Sequence, residues 1–140
     1  MSRIFWDTNL FIYLFEGSGN QAERVKNLRR SMSLRGDQLL TSTLTLGEAL
    51  VKPTERGDDE LARKYEEAIS GAALVVPFDS KAAKLYAALR TDRSLRAPDA
   101  IQLACAAATR VDLFVTNDER LWGKQVEGIQ FIVSLERAPL

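Results

Sequence analysis

The chain has 140 residues, of which 19 are basic and 19 acidic, so its formal net charge is zero. This length fits a single domain, residues 1–140, that can bury one hydrophobic core without stabilising disulfides. The neutral balance argues against strong non-specific attraction to nucleic acid, although it leaves local acidic and basic patches open.

The sequence contains no histidine and a single cysteine, Cys105. Without histidine, Ser-His-Asp and Cys-His nucleophile sites and most zinc sites are excluded. One thiol forms no internal disulfide, which suits a reducing compartment, and we expect Cys105 to be a small buried side chain. No apolar run approaches the ~20 residues that a membrane span needs, and the N-terminus lacks a signal-peptide layout. We therefore expect a cytoplasmic protein.

The first half of the chain is predicted to contain two strands, each followed by helices. The four residues 3–6 are mostly apolar and read as a short buried strand that ends at an acid, Asp7. Spacings of three and four between apolar residues indicate amphipathic helices further on. In chain order the predicted elements are strand 3–6, helix 8–15, helix 21–33, strand 38–41, an apolar helix that contains Glu48 and ends at Pro53, and a helix that starts at Asp58 or Asp59 and ends at Gly71.

The second half continues the alternation. Pro98 suits the first turn of a helix, because its missing N–H is not needed there. The predicted elements are strand 73–78, a helix capped by Asp79 or Ser80, helix 99–109, strand 112–116, a short helix 119–124 and strand 130–133. Apolar runs that alternate with helices predict a parallel sheet covered on both faces. The expected fold is a three-layer α/β/α domain with about five mostly parallel strands.

Four acids occupy similar places in this scheme. Asp7 and Asp118 follow the first and fourth strands, Asp99 lies in the first turn of a helix, and Glu48 lies inside the apolar helix. Each has an ordinary structural reading: a helix cap, a partner of the helix dipole, or a solvated polar face. In an open parallel sheet, however, strand ends share one edge, where ligands bind.

Carboxylates that cluster at such an edge repel one another unless a cation compensates them. With no histidine and no cysteine cluster, that cation would be hard, and carboxylate and water oxygens suit Mg²⁺ or Mn²⁺. A metal held this way can polarise a phosphoryl oxygen and activate water. The pattern therefore favours metal-dependent hydrolysis of a phosphate ester.

Together these motifs resemble a PIN domain, and more narrowly the VapC-like ribonuclease toxins of toxin–antitoxin pairs. The resemblance covers nearly the whole chain and rests on four motifs in order: Asp7-Thr8-Asn9 after the first strand, Glu48 in an apolar helix, Arg96-Ala97-Pro98-Asp99-Ala100, and Thr116-Asn117-Asp118 after the fourth strand. It implies a Rossmann-like parallel sheet between helices and hydrolysis of RNA phosphodiester bonds.

The resemblance also implies which residues carry the chemistry. The catalytic and metal-binding quartet would be Asp7, Glu48, Asp99 and Asp118, which would bind Mg²⁺ or Mn²⁺. Glu119 stands next to Asp118 and is the alternative for the fourth acid. The residues that match the family's pocket-shaping polar positions are Thr8, Asn9, Thr116 and Asn117, although such residues are also ordinary in turns and caps.

RNA binding needs positive charge around an acidic pocket, because phosphate contacts dominate affinity. Arg93 and Arg96 precede Asp99 and are the first candidates, and Lys52 and Arg56 are the second. For each, the alternative is a solvated surface charge. No aromatic RNA-binding motif or zinc knuckle is present, so we expect pocket shape and rim to select the substrate.

The resemblance implies two partners, a cognate antitoxin and a second copy of the chain. Helix faces near Val25, Leu28, Tyr65 and Ile69 could form the homodimer or belong to the core. Two other functions stay open: a PIN-type nuclease that has no antitoxin and processes RNA or cuts DNA, and a catalytically silent PIN fold that only binds. The intact acids argue against the second.

Overall fold

The computed structural model describes residues 1–139, and its centre is a five-stranded sheet in which every pairing is parallel. The strand order is β3-β2-β1-β4-β5. The strands are β1 (Arg3–Trp6), β2 (Gln38–Ser42), β3 (Leu74–Val76), β4 (Val111–Val115) and β5 (Ile129–Val133).

Helices connect each strand to the next, except that a short 3₁₀ turn, Glu119–Leu121, precedes β5. They are α1 (Thr8–Glu16), α2 (Gly19–Arg35), α3 (Thr43–Ala49), α4 (Val51–Glu55), α5 (Asp59–Ala72), α6 (Ser80–Leu89) and α7 (Ala97–Thr109). None of the helices within residues 1–139 is both long and apolar enough to cross a bilayer.

The sheet is buried on both faces, which confirms the predicted α/β/α layering. In β1 the side chains alternate between two cores, so that Phe5 packs with α6 and α7 while Ile4 and Trp6 pack with α1 and α2. Phe5 stacks on Phe114 of β4, with ring centroids 5.1 Å apart. This two-sided burial explains why β1 is a continuous apolar run rather than an alternating one.

The strand order reverses beside β1. From β1 the chain builds outward through β2 to β3, then returns to place β4 on the other side of β1. Register pairs Trp6 with Val115, and the Asp7 N–H donates to the Val115 carbonyl at 3.0 Å. The ends of β1 and β4 therefore meet at a topological switch point, where α/β sheets bind ligands.

The structure corrects the prediction for Pro53 and confirms the one for Cys105. The prediction that Pro53 ends the apolar helix was wrong: α3 ends at Ala49, and Pro53 lies in the first turn of α4, where its missing N–H costs nothing. The expectation for Cys105 was correct, because it is fully buried and burial raises its pKa to about 11.

The close approach of Gly128 to α7 supplies a test of this packing. Gly128 has φ +96°, and a Cβ there would lie 2.7 Å from the Ala107 carbonyl oxygen. Gly57 also has a positive φ, +66°, but no atom would lie within 4 Å of its Cβ.

We expect Gly128→Ala to lower the free energy of unfolding by about 3 kcal/mol, because backbone strain adds to the displacement of α7. Gly57→Ala should cost about 1 kcal/mol from strain alone. Urea denaturation of both variants measures the difference. Equal losses in the two variants would contradict the contact with α7.

Candidate active site

Four elements bring the four predicted acids to one pocket at the switch point. Asp7 follows β1, Glu48 lies in α3, Asp99 lies in the first turn of α7, and Asp118 follows β4. All four line a single open cavity of about 440 Å³, which we call the acidic pocket. Its other lining residues are Thr8, Asn9, Ile12, Tyr13, Arg96, Pro98 and Gln102.

Asp7 is the most deeply buried of these acids, with only 8% of its surface exposed. Its Oδ1 accepts the Thr8 N–H at 2.8 Å, so it caps α1, and its Oδ2 accepts the Thr116 hydroxyl at 2.7 Å. Burial raises its pKa to about 6, and the charges of Asp99 and Glu48 add to the rise while both hydrogen bonds oppose it. Asp7 therefore both caps α1 and lines the acidic pocket.

Glu48 reaches the same pocket from the surface of α3. The Thr8 hydroxyl donates to Glu48 Oε1 at 2.6 Å and so links α1 to α3. Thr8 thus contacts two of the four acids, Asp7 through its backbone N–H and Glu48 through its side chain.

Two arginines hold Asp118, and one of them also reaches Asp99. Arg96 lies between the two acids, with Nε 3.2 Å from Asp99 Oδ2 and Nη2 3.5 Å from Asp118 Oδ2. Arg120 contacts both oxygens of Asp118, at 2.9 and 2.7 Å. The hydrogen bond from Arg120 is the main reason that the pKa of Asp118 is lowered, and Arg96 adds to it.

The other polar candidates divide into two groups. Thr116 is fully buried behind Asp7, and Asn9 lines the pocket with a buried Oδ1 that has no hydrogen-bond partner within residues 1–139. Asn117 instead braces the fold, because its amide donates to the Tyr13 hydroxyl at 3.4 Å and accepts the Leu135 N–H at 3.2 Å.

The basic candidates are not all at the acidic pocket. Arg96 lines it, and Arg93 is exposed on the same loop. Lys52 and Arg56 line a neighbouring, mostly apolar groove that shares Ile12 and Glu48 with the acidic pocket. Glu119 is exposed and does not line the pocket, so Asp118 is the acid that the fold places there.

Sequence reasoning missed two residues at this site, Gln102 and Arg120. Gln102 is only 2% exposed, and its side chain hydrogen-bonds with four polar groups around the pocket. Its signal was available: it follows Asp99 by three positions, which is one helical turn, within an otherwise apolar helix. Arg120 gave no comparable signal, because a charged residue after Asp118 predicts only an exposed surface side chain.

The donor set fits a hard divalent cation. The pocket offers four carboxylates and the unpartnered amide oxygen of Asn9, and oxygen donors of this kind suit Mg²⁺ or Mn²⁺. As the side chains stand, no three acids within residues 1–139 converge closely enough to ligate one ion. Arg96 contacts one oxygen of Asp99, and Arg120 contacts both oxygens of Asp118, so these arginines compete with a cation for the two acids.

Comparison with known proteins gives one family and a set of similar structures. The family model described as "PIN domain" matches residues 4–124. A search of curated protein sequences found no match.

Several solved structures that resemble the chain are toxin–antitoxin complexes. They include VapBC2 from Rickettsia felis bound to a DNA fragment from their promoter, with TM-score 0.75 and 15% identity over 94% of this chain and 98% of that one. DNA-bound VapBC from Salmonella typhimurium has TM-score 0.71 and 20% identity over 96% and 99%. A toxin–antitoxin complex from Klebsiella pneumoniae has TM-score 0.63 and 24% identity over 90% and 94%. At these identities the similarity establishes the fold.

The buried Asp7 carboxyl predicts how stability depends on pH when no divalent cation is added. Its pKa is about 6 in the folded protein against an ordinary value of 3.8, so the folded state binds this proton more tightly than the unfolded state. The resulting stabilisation is complete below pH 3.8 and is lost as the pH rises through 6. The loss amounts to about 3 kcal/mol.

Urea denaturation in EDTA between pH 4 and about pH 8 measures this loss, and Asp7→Asn should remove it. The comparison isolates Asp7, because acids with lowered pKa such as Asp118 are present in both proteins. If the two proteins show parallel pH curves, the burial of an uncompensated Asp7 charge is refuted.

Proposed function

The chain belongs to the PIN domain family, and from that premise we propose that it is a Mg²⁺- or Mn²⁺-dependent endoribonuclease that serves as the toxin of a toxin–antitoxin pair. The PIN fold is typical of nucleases. The observation that carries the proposal is the convergence of Asp7, Glu48, Asp99 and Asp118 on one pocket at the switch point of the sheet.

In this proposal the four acids hold the cation and the neighbouring hydroxyls hold the acids. When bound, a divalent cation supplies Lewis-acid activation of the phosphoryl group and of the attacking water. The Thr116 hydroxyl and the Thr8 backbone N–H keep Asp7 oriented, at 2.7 and 2.8 Å, and the Thr8 hydroxyl contacts Glu48. A cation beside Asp7 favours its charged form, which burial alone disfavours.

Arg96 and Arg120 are the residues best placed to bind the RNA backbone. Their side chains are 58% and 52% exposed, although both contact Asp118. The two guanidinium groups match phosphate oxygens in geometry, and they would be available to the RNA backbone if Asp118 held a cation instead. Arg93 lies on the same exposed loop and extends this positive edge.

Cleavage of purified cellular RNA in the presence of Mg²⁺ or Mn²⁺ tests the nuclease. We expect discrete fragments that disappear with EDTA. Asp118→Asn should lower the rate by more than about 100-fold, since even a lost hydrogen-bond partner of a metal ligand costs 10- to 100-fold. Glu119→Gln is the matched control, because Glu119 lies outside the acidic pocket and the variant should cleave normally.

Cleavage that survives both EDTA and Asp118→Asn would come from a contaminant and would remove the case for this site. A wild-type protein that is folded and free of partner but does not cleave would favour the catalytically silent binding module.

The antitoxin has a candidate binding surface beside the acidic pocket. The apolar groove, of about 440 Å³, lies between α1, α3, α4 and α5 and shares Ile12 and Glu48 with the acidic pocket. Its lining is Ile12, Phe15, Glu16, Glu48, Ala49, Val51, Lys52, Pro53, Arg56, Leu61 and Tyr65. An amphipathic helix of a partner could bury its apolar face there. A partner in this groove would also stand next to the catalytic acids.

Substitution of Val51, which is 50% exposed in this groove, tests the toxin role. Production of the wild-type protein should arrest cell growth, and co-production of the product of an adjacent small reading frame should relieve the arrest. We expect Val51→Glu to arrest growth even when the neighbouring product is co-produced, because burial of an unpaired charge in the groove opposes apolar docking.

Leu34→Glu is the control, since Leu34 is 83% exposed on α2 and lies outside the groove. RNA cleavage measured on the same preparations separates a lost partner contact from a lost fold. Equal relief of both variants would exclude this groove, and an active nuclease that no neighbouring product neutralises would favour a PIN nuclease without an antitoxin.

Homodimer formation stays a prediction, but three of the four residues first considered for it are interior. Val25, Leu28 and Ile69 are fully buried in the core on the α1–α2 side of the sheet. Tyr65 stacks on Phe15, with ring centroids 4.3 Å apart. Val25, Leu28 and Ile69 are therefore not available to a second copy, whereas Tyr65 lines the apolar groove.

A further inference from the structure

Gln102 is a buried amide at the point where three segments around the acidic pocket meet. Its Nε2 lies 2.8 Å from the Thr45 hydroxyl, 3.0 Å from the Thr8 hydroxyl and 3.4 Å from Asp7 Oδ1. Its Oε1 accepts the hydroxyl of Ser42. Gln102 therefore connects α7 to the end of β1 and to the start of α3.

The direction of each hydrogen bond in this network follows from counting protons. The carboxylate of Glu48 can only accept, so the single hydroxyl proton of Thr8 is donated to it. Thr8 Oγ1 is then left as an acceptor, both for the Gln102 amide and for the Thr45 hydroxyl at 3.1 Å. The hydrogen bonds that run from Gln102 through Thr8, directly or by way of Thr45, thus end at Glu48.

Glu48 depends on this network more than the other acids do. Within residues 1–139 the hydrogen bond from Thr8 is the only one that its carboxylate makes. Asp118, in contrast, is held by two arginines, and Asp7 by Thr116 and a backbone N–H. Removal of the Gln102 donor frees the Thr8 hydroxyl to turn toward Thr45 instead.

We propose that Gln102 is a positioning residue that acts through the Thr8 hydroxyl to orient Glu48 for the divalent cation. The inference rests on the proposed function and deepens it, because it places a hydrogen-bonding shell behind one metal ligand. Partners of this kind fix the orientation of metal ligands and their loss weakens metal binding. A purely structural Gln102 would only satisfy the buried hydroxyls of Ser42 and Thr45.

Gln102→Met separates the two roles, because methionine keeps the length and helix propensity of glutamine but removes its donors and acceptor. We expect Mn²⁺, measured by titration calorimetry, to bind about 10-fold more weakly. We expect kcat for RNA cleavage to fall with KM unchanged, since only 2% of the Gln102 surface is exposed. Leu103→Met, a volume-conserving change at the next buried position of α7, should leave both values unchanged.

A second set of variants tests the path through Thr8. Thr8→Ser keeps the hydroxyl and should bind Mn²⁺ like the wild type, whereas Thr8→Val should bind as weakly as Gln102→Met. The double variant Thr8→Val with Gln102→Met should lose nothing further, because both changes remove the same hydrogen bond. If the double variant instead bound Mn²⁺ about 100-fold more weakly than the wild type, the two residues would act independently and the path from Gln102 through Thr8 would be refuted.

A crystal structure of metal-free Gln102→Met provides a readout that needs no activity. The expected result is that Glu48 Oε1 no longer lies within hydrogen-bond distance of Thr8. If Gln102→Met does not fold, Gln102→Asn takes its place, since its amide is one methylene too short to reach Thr8.

The outcomes distinguish this inference from the proposed function. A wild-type protein that neither binds Mn²⁺ nor cleaves RNA refutes the proposed function and this inference with it. A wild type that binds Mn²⁺, together with a folded Gln102→Met that binds it equally well, overturns the role of Gln102 alone.

Discussion

The buried carboxylate of Asp7 is the constraint on which the rest of the site depends. It ends the central strand β1, and its burial makes its charge costly, as its raised pKa of about 6 shows. The Thr116 hydroxyl and the Thr8 N–H compensate part of that cost. A cation bound beside Asp7 would relieve the remaining cost. The buried charge of Asp7 therefore destabilises the metal-free fold and at the same time favours metal binding.

Around Asp7 the charges are not balanced, although those of the whole chain are. The whole chain is neutral, yet four acids and two arginines meet at one edge of the sheet. Arg96 and Arg120 neutralise Asp99 and Asp118 in the absence of a cation. The same arginines would face the phosphates of a bound RNA, so the opening of these ion pairs couples metal binding to substrate binding in the proposed mechanism.

The sequence left open whether Asp7 and Asp118 are helix caps or residues of a functional site, and in the structure they are compatible with both roles. Asp7 caps α1 and Asp118 caps the 3₁₀ turn, and both also line the acidic pocket. A cap at the end of a parallel strand necessarily lies at the edge where ligands bind, so capping and site formation use the same residue. Lys52 and Arg56, in contrast, are near Glu48 in sequence but line the apolar groove, because the chain turns away between α3 and α4.

The sequence by itself determined the alternation of strands and helices, the two-sided burial of β1 and the positions of Asp7 and Asp118 after strands, because these depend on local spacing and on the direction of parallel strands. Only the tertiary structure decided that β4 lies beside β1, that Arg120 pairs with Asp118, and that Gln102 stands behind Thr8 and Glu48. Strand order and side-chain partners depend on contacts between residues far apart in the chain. The spacing of neighbouring residues along one sequence does not predict strand order or side-chain partners.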